Sequence, residues 1–227
     1  MKPFRSSPYI DFNTGEVKVP PMALIESLGP RANQPIEQMF MVFECRVDVW
    51  QLGPAVEMLK LMDAAHGQTS VWAHSGYMLL AGTFNYFEMV GKVLNPESNG
   101  WRTSKRDFNY GFCDVYPAFA PVGPERSDQV LPVVAQFRDR VRNGMYHLGY
   151  TKSHLFIHNA PHKWRDDFTV VMQNDERLYL ANTHALIRTV VAHFPGLMGR
   201  LRDRSTEFNQ LRTKFIDFYV TFHQGAD

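Results

Sequence analysis

The amino-acid sequence predicts a mainly α fold, a helical bundle carrying one small antiparallel β-hairpin. Three observations carry that expectation. Through most of residues 35–222 apolar side chains recur at three- and four-residue steps, the period of one helix face. Only between His154 and Ala181 does the pattern shorten into runs rich in Phe, Val, Ile and Leu, as strands require. Residues 1–34, in contrast, hold Pro3, Pro8, Pro20, Pro21 and Pro30 with Gly15 and Gly29, a density that excludes a long helix.

The expected organisation is therefore an extended proline-rich arm over 1–34, with Val17-Lys18-Val19 as a short edge strand, followed by one helical domain over 35–227. Pro35 suits a first-turn position, and Met39, Phe40, Phe43, Val47 and Trp50 follow on helical steps. Gly53-Pro54 interrupts, and Ala55–Ala65 continues with Val56, Leu59 and Met62 on one side. From Ser70 to Leu94 the apolar arc of Met78, Leu79, Leu80, Phe84, Phe87, Val90, Val93 and Leu94 is wide, which predicts a central, mostly buried helix.

Residues 95–127, with Pro96, Pro117, Pro121 and Pro124, read as irregular apart from a short helix near Asp107–Phe112. Ser127-Asp128 is placed to cap the next helix. Its seam runs through Val130, Val134, Phe137, Val141, Met145 and Leu148, and Gly149 ends it. The short runs His154–His158, Phe168–Gln173 and Leu178–Ala181 come next, with Asn174-Asp175-Glu176 as a hairpin connection between the last two. Thr183 starts a helix expected to kink at Pro195-Gly196. Phe208, Leu211, Phe215, Phe218, Tyr219 and Phe222 form the apolar face of the last one.

Composition narrows the function classes. A chain of 227 residues with 44% apolar and 13% aromatic residues can bury a substantial core. A net charge of +1 provides no global field toward nucleic acid or anionic lipid, so any phosphate recognition must be local. Cys45 and Cys113 stand alone, outside any CxxC, which argues against a disulfide framework and for a reducing compartment. No signal-peptide run and no stretch of 18 apolar residues occurs; a cytoplasmic protein without a membrane partner is expected. P-loop, dinucleotide, zincin and nucleophile-elbow patterns are missing, and no cofactor is expected.

The run with chemical content is Arg142-Asn143-Gly144-Met145-Tyr146-His147. Arg142 offers a planar, permanently charged fork for a phosphate. His147 titrates near neutrality and suits general acid–base work. Together they could open a phosphodiester without a metal, the histidine taking a ribose 2′-OH proton and the arginine holding charge on the phosphoryl oxygens. On a regular helix five residues turn about 500°, which leaves the two side chains roughly 140° apart. Arg140, seven residues before His147, lies on nearly its face and is the rival partner; Arg138 and Arg142, four apart, share another face.

With its surroundings, Phe137, Arg142-Asn143-Gly144, His147 and Tyr150-Thr151-Lys152, this run resembles the HEPN superfamily (higher eukaryotes and prokaryotes nucleotide-binding). The family motif is an arginine, usually a polar residue, three more residues and a histidine on a bundle helix, matched here by Arg142, Asn143 and His147. The order of elements over 36–222 is also similar, although the specific part spans about 16 residues. The resemblance implies a bundle that forms a homodimer, bringing two Arg–His sets into one cleft, and often metal-independent RNA cleavage. It implies catalytic roles for Arg142, His147 and Asn143. Arg138, Arg140 and Lys152 are the candidate RNA-backbone cations beside them. The alternative within the same fold is a non-catalytic module that dimerises and binds a nucleotide or a partner protein. The proline-rich arm and residues 95–127 depart from the family pattern.

Two further clusters read as surface. His154, His158 and His162 are spaced four apart, as metal ligands can be, but Pro161 breaks a common helix and no Cys or Glu is near; no metal site is expected. Arg200, Arg202, Arg204, Arg212 and Lys214 are diluted by Asp203 and Glu207 and read as a solvated face.

Overall fold

The computed structural model describes residues 9–10, 17–18, 35–65, 76–95, 97–98, 103–119, 132–141, 155–158, 168–173 and 176–224. Helices dominate: α1 (Ile36–Val47), α2 (Gly53–Ala64), α3 (Gly76–Leu94), α4 (Ser104–Val115), α5 (Pro132–Arg138), α6 (Thr183–Arg202) and α7 (Asn209–Gln224). Strands β1 (Tyr9–Ile10) and β2 (Val17–Lys18) pair antiparallel. β3 (Leu155–His158), β4 (Phe168–Gln173) and β5 (Glu176–Asn182) form a second sheet in the order β3-β5-β4. By compactness the chain divides into two units, Met1–Pro54 with Pro195–Asp227, and Ala55–Phe194.

In the first unit, α1 begins because Pro35 cannot donate but its carbonyl can accept. The backbone N–H of Gln38 and Met39 reach it at 2.9 and 3.2 Å, so Pro35 is the N-cap rather than a first-turn residue. Met39, Phe40, Phe43 and Val47 are buried as their spacing demands. Phe215 of α7 stands 5.1 Å from the Phe40 ring and 5.2 Å from Phe43, so aromatic edges join the two helices. Helical winding does not break at Gly53-Pro54. It passes through a π segment, Asp48–Leu52, directly into α2.

In the second unit, α3 is the central helix its wide apolar arc predicts: Leu80, Phe84, Phe87, Val90 and Val93 are fully buried. Met78 is the exception within that arc, 62% exposed. The short helix expected near Asp107–Phe112 is present and longer, a full three-turn helix, α4. Its apolar face is interrupted by Asp107 and Asn109, both buried, and those polar letters hide the period. Asp107 is tolerated inside because Asn95 donates to it at 2.7 Å and Thr103 at 3.0 Å. Gly91 and Gly111 let the α3 and α4 backbones touch: a Cβ on Gly91 would overlap the Asp107 carbonyl, and one on Gly111 the Phe87 carbonyl. Around this crossing Phe84, Phe87, Phe108, Phe112 and Phe137 form one aromatic cluster with centroids 5.0–5.9 Å apart.

β4 and β5 pair antiparallel from Phe168↔Ala181 to Gln173↔Glu176. β3 adds to the other edge of β5 in parallel, Leu155↔Tyr179 through His158↔Asn182, a partner that strand-like runs alone do not announce. Asn182 closes β5 and opens α6, its side-chain oxygen accepting the Ala185 N–H at 3.2 Å. α6 contains Pro195, whose missing N–H leaves one helical carbonyl without its ladder bond.

Candidate functional site

The helix that leads into the Arg–His run is α5. Val134, Phe137 and Val141 are completely buried, and Phe137 stacks edge-on against Phe84 of α3 at 5.2 Å. These three members of the apolar seam read from the sequence anchor this segment; Val130, Met145 and Leu148 lie outside the described residues. After Arg138 the winding changes from α to π over Asp139–Val141. Arg142, Asn143, His147 and Lys152 lie outside the described residues, as do the capping pair Ser127-Asp128 and Gly149.

The two candidate cations that are described, Arg138 and Arg140, are held by different elements. At about 100° per residue, Arg138 falls on one flank of the seam and Gln136 and Arg140 on the other. Arg138 turns toward α3 and α4. Its Nη2 donates to Ser104 Oγ at 3.2 Å and lies 3.9 Å from Glu88 Oε1. Ser104 in turn donates to Glu88 at 3.5 Å. The guanidinium carbon sits 5.6 Å from the Phe108 ring centre, a cation–π contact. The Arg138 side chain is only 10% exposed and that of Glu88 16%. This is an interior position, supplied with an acceptor, a counter-charge and a ring, and not one open to an RNA backbone. Arg140 turns toward the sheet, its guanidinium carbon 5.1 Å from the centre of Tyr179. The Tyr179 hydroxyl donates to Gln136 of α5, so one buried ring of β5 grips two residues a turn apart.

A second polar assembly joins residues far apart in sequence. The Tyr86 hydroxyl is 2.8 Å from His193 Nδ1, and His193 Nε2 is 2.9 Å from Asp114 Oδ2. A carboxylate can only accept, so Nε2 carries a proton, and in the neutral ring Nδ1 accepts from Tyr86. Tyr86 is fully buried, and the chain of contacts ties α3, α4 and α6 together. No motif spacing betrays it, because its members are separated by 107 and 79 residues. His184, also buried, has Asp63 at 3.5 Å.

His158 ends β3 opposite Asn182, while His154 and His162 lie outside the described residues. Among the described residues no group of three His, Cys, Asp or Glu could hold a metal ion. In the basic run, Arg202 grips Glu44 with two bonds at 3.3 and 2.5 Å. Arg204 reaches Glu37 at 2.9 Å, and Arg212 bonds the Asp203 carbonyl and Asn209. These cations are matched by neighbouring acceptors, as a solvated face would be. Burial, reinforced by Asp48, raises the Cys45 thiol above its ordinary pKa, the opposite of what a nucleophilic thiol requires. Among the described residues no helix is long and apolar enough to cross a membrane.

No protein-family model, no curated protein and no solved structure matches the chain.

Proposed function

We propose that the chain is a metal-independent endoribonuclease of the HEPN kind. The observation that carries this reading is the Arg142-Asn143…His147 run itself, set directly after a helix fixed in a mainly α unit by Val134, Phe137 and Val141. The α-to-π change at Asp139–Val141 adds support, because π segments recur at functional sites.

In the proposed reaction His147 takes the proton of a ribose 2′-OH, and the freed oxygen attacks the adjacent phosphorus. The P–O5′ bond breaks, and the departing 5′-oxygen takes a proton from the imidazolium or from solvent. Arg142 holds the charge that builds on the non-bridging oxygens, and Asn143 hydrogen-bonds one of them. Arg140 and Lys152 contact flanking phosphates. Two copies of the chain pair so that two Arg–His sets share one cleft, which removes the need for Arg142 and His147 to converge on a single helix. A second reading, a non-catalytic module binding a nucleotide or a partner protein, is favoured by Arg138 and Arg140 both being engaged by the chain's own side chains.

The deciding experiment is cleavage of a fluorescent mixed-sequence RNA by the purified full chain in EDTA. The reading expects cutting by the wild type, reduced at least about 100-fold in Arg142→Ala and in His147→Ala. Equal cutting by both variants, or cutting only with added divalent metal, overturns it. RNA bound but never cut supports the module.

A further inference from the structure

We infer that Cys113 is an oxidation site, its thiol converted by a hydroperoxide to a sulfenic acid that Asn109 holds by a hydrogen bond. The inference is independent of the ribonuclease reading. The residues that make the site all lie between Asn109 and Phe119.

Two observations on α4 carry it. Asn109 is only 5% exposed, and its side-chain oxygen Oδ1 is buried with no hydrogen-bond partner. Leaving a buried acceptor without a donor destabilises a fold, so its retention calls for a use. Cys113 follows four residues later, one turn along the same face. Helical side chains lean toward the N-terminus, so the sulfur lies over the turn that carries Asn109. Cys113 is half-buried, open enough for an oxidant as small as a peroxide.

The thiol itself does not serve the Asn109 oxygen. Its S–H donates to the Phe119 carbonyl at 3.8 Å. That bond ties the 3-10 turn Pro117–Phe119 back onto α4, where Phe119 also packs on Phe112 at 5.8 Å. Oxidation changes which donors are present. The sulfur attacks one oxygen of the hydroperoxide, an S–O bond forms and the O–O bond breaks. The thiol proton passes to the departing oxygen, which leaves as water or an alcohol. Sulfur is oxidised by two electrons and the peroxide is reduced by two. The product has lost the S–H that held Phe119 and gained an O–H one bond further out. An O–H is a stronger donor than the weak S–H, and the unfilled acceptor one turn back receives it. One event thus fills Asn109 and releases the turn. Cys45 supplies the contrast: burial and Asp48 hold its thiol above the ordinary range, which lowers the thiolate fraction that reacts.

The test exposes the reduced full chain to hydrogen peroxide and traps sulfenic acid with a cyclic dione probe, read by peptide mass spectrometry. The expected result is trapping at Cys113 at least about fivefold faster than at Cys45, and none at this position in Cys113→Ser. In Asn109→Leu an added small thiol reduces the sulfenic acid about 3- to 10-fold faster than in the wild type, the factor one hydrogen bond is worth. The reduced Asn109→Leu chain keeps or exceeds the wild-type thermal midpoint, because an unfilled acceptor has given way to an apolar group of similar size. Amide hydrogen exchange in the turn 117–119 quickens on oxidation of the wild type and not of Cys113→Ser. Equal trapping at the two cysteines, or an unchanged lifetime in Asn109→Leu, overturns the inference. A lowered midpoint of reduced Asn109→Leu also overturns it, because a bound water would then already serve the Asn109 oxygen. If Asn109→Leu does not fold, the exchange comparison decides alone, and a turn unchanged by oxidation of the wild type overturns the inference.

Discussion

Arg138 and Arg204 carry the same guanidinium into opposite surroundings. Arg138, in the unit spanning Ala55–Phe194, is 10% exposed, stands over an aromatic ring and is tied to Ser104 and Glu88. Arg204, in the other unit, is 85% exposed and reaches a Glu37 that is itself 61% exposed. The difference teaches what an arginine can be used for. In water the pair is screened and the ordering of two long side chains nearly cancels its attraction. In the interior the charge cannot be left unmatched, so each bond it makes becomes a constraint on the helices that supply the partners.

The scale for interior effects is set by a residue with no charge. Phe87→Ala removes a fully buried ring that touches Phe84, Phe108 and Phe112, and urea unfolding should register a loss of about 3–5 kcal/mol. Arg138→Ala, which leaves Glu88 without this partner in a nearly closed site, should lose about 3 kcal/mol. A loss no greater than that of Arg204→Ala would erase the contrast. Gly111→Ala should lose about 2 kcal/mol, because the obstacle is the Phe87 backbone and cannot swing aside. Arg202→Ala, with its two-bond grip on Glu44, should lose up to about 1 kcal/mol, and less as salt is added. Arg204→Ala should be indistinguishable from wild type in the same titration.

The same contrast explains what was legible in the sequence. Helices whose faces are purely apolar announced themselves: Met39, Phe40, Phe43 and Val47 in α1, and Phe84, Phe87, Val90 and Val93 in α3, are buried where their spacing places them. α4 shows in the sequence only as a short helix near Asp107–Phe112, because Asp107 and Asn109 occupy interior positions, and a hydropathy pattern cannot show that Asn95 and Thr103 will satisfy the carboxylate. Met78 was misjudged for the converse reason, since an apolar letter does not guarantee a neighbour to cover it. The parallel partnership of β3 with β5 depends on a long-range register that short runs do not encode. Arg138 and Arg140 were legible as cations flanking the motif, but their engagement by Glu88, Ser104 and Tyr179 was not. The Tyr86–His193–Asp114 chain was invisible, because only the packing of three helices brings these residues together.

The claim that Arg142 and His147 open RNA through its own 2′-OH is tested most directly at the ends of the cut strands. The account predicts 2′,3′-cyclic phosphate and 5′-hydroxyl ends, formed in EDTA, and no cutting at a site carrying a single 2′-deoxyribose. Fragments ending in 3′-hydroxyl and 5′-phosphate, or cutting that persists at the 2′-deoxy site, would contradict it.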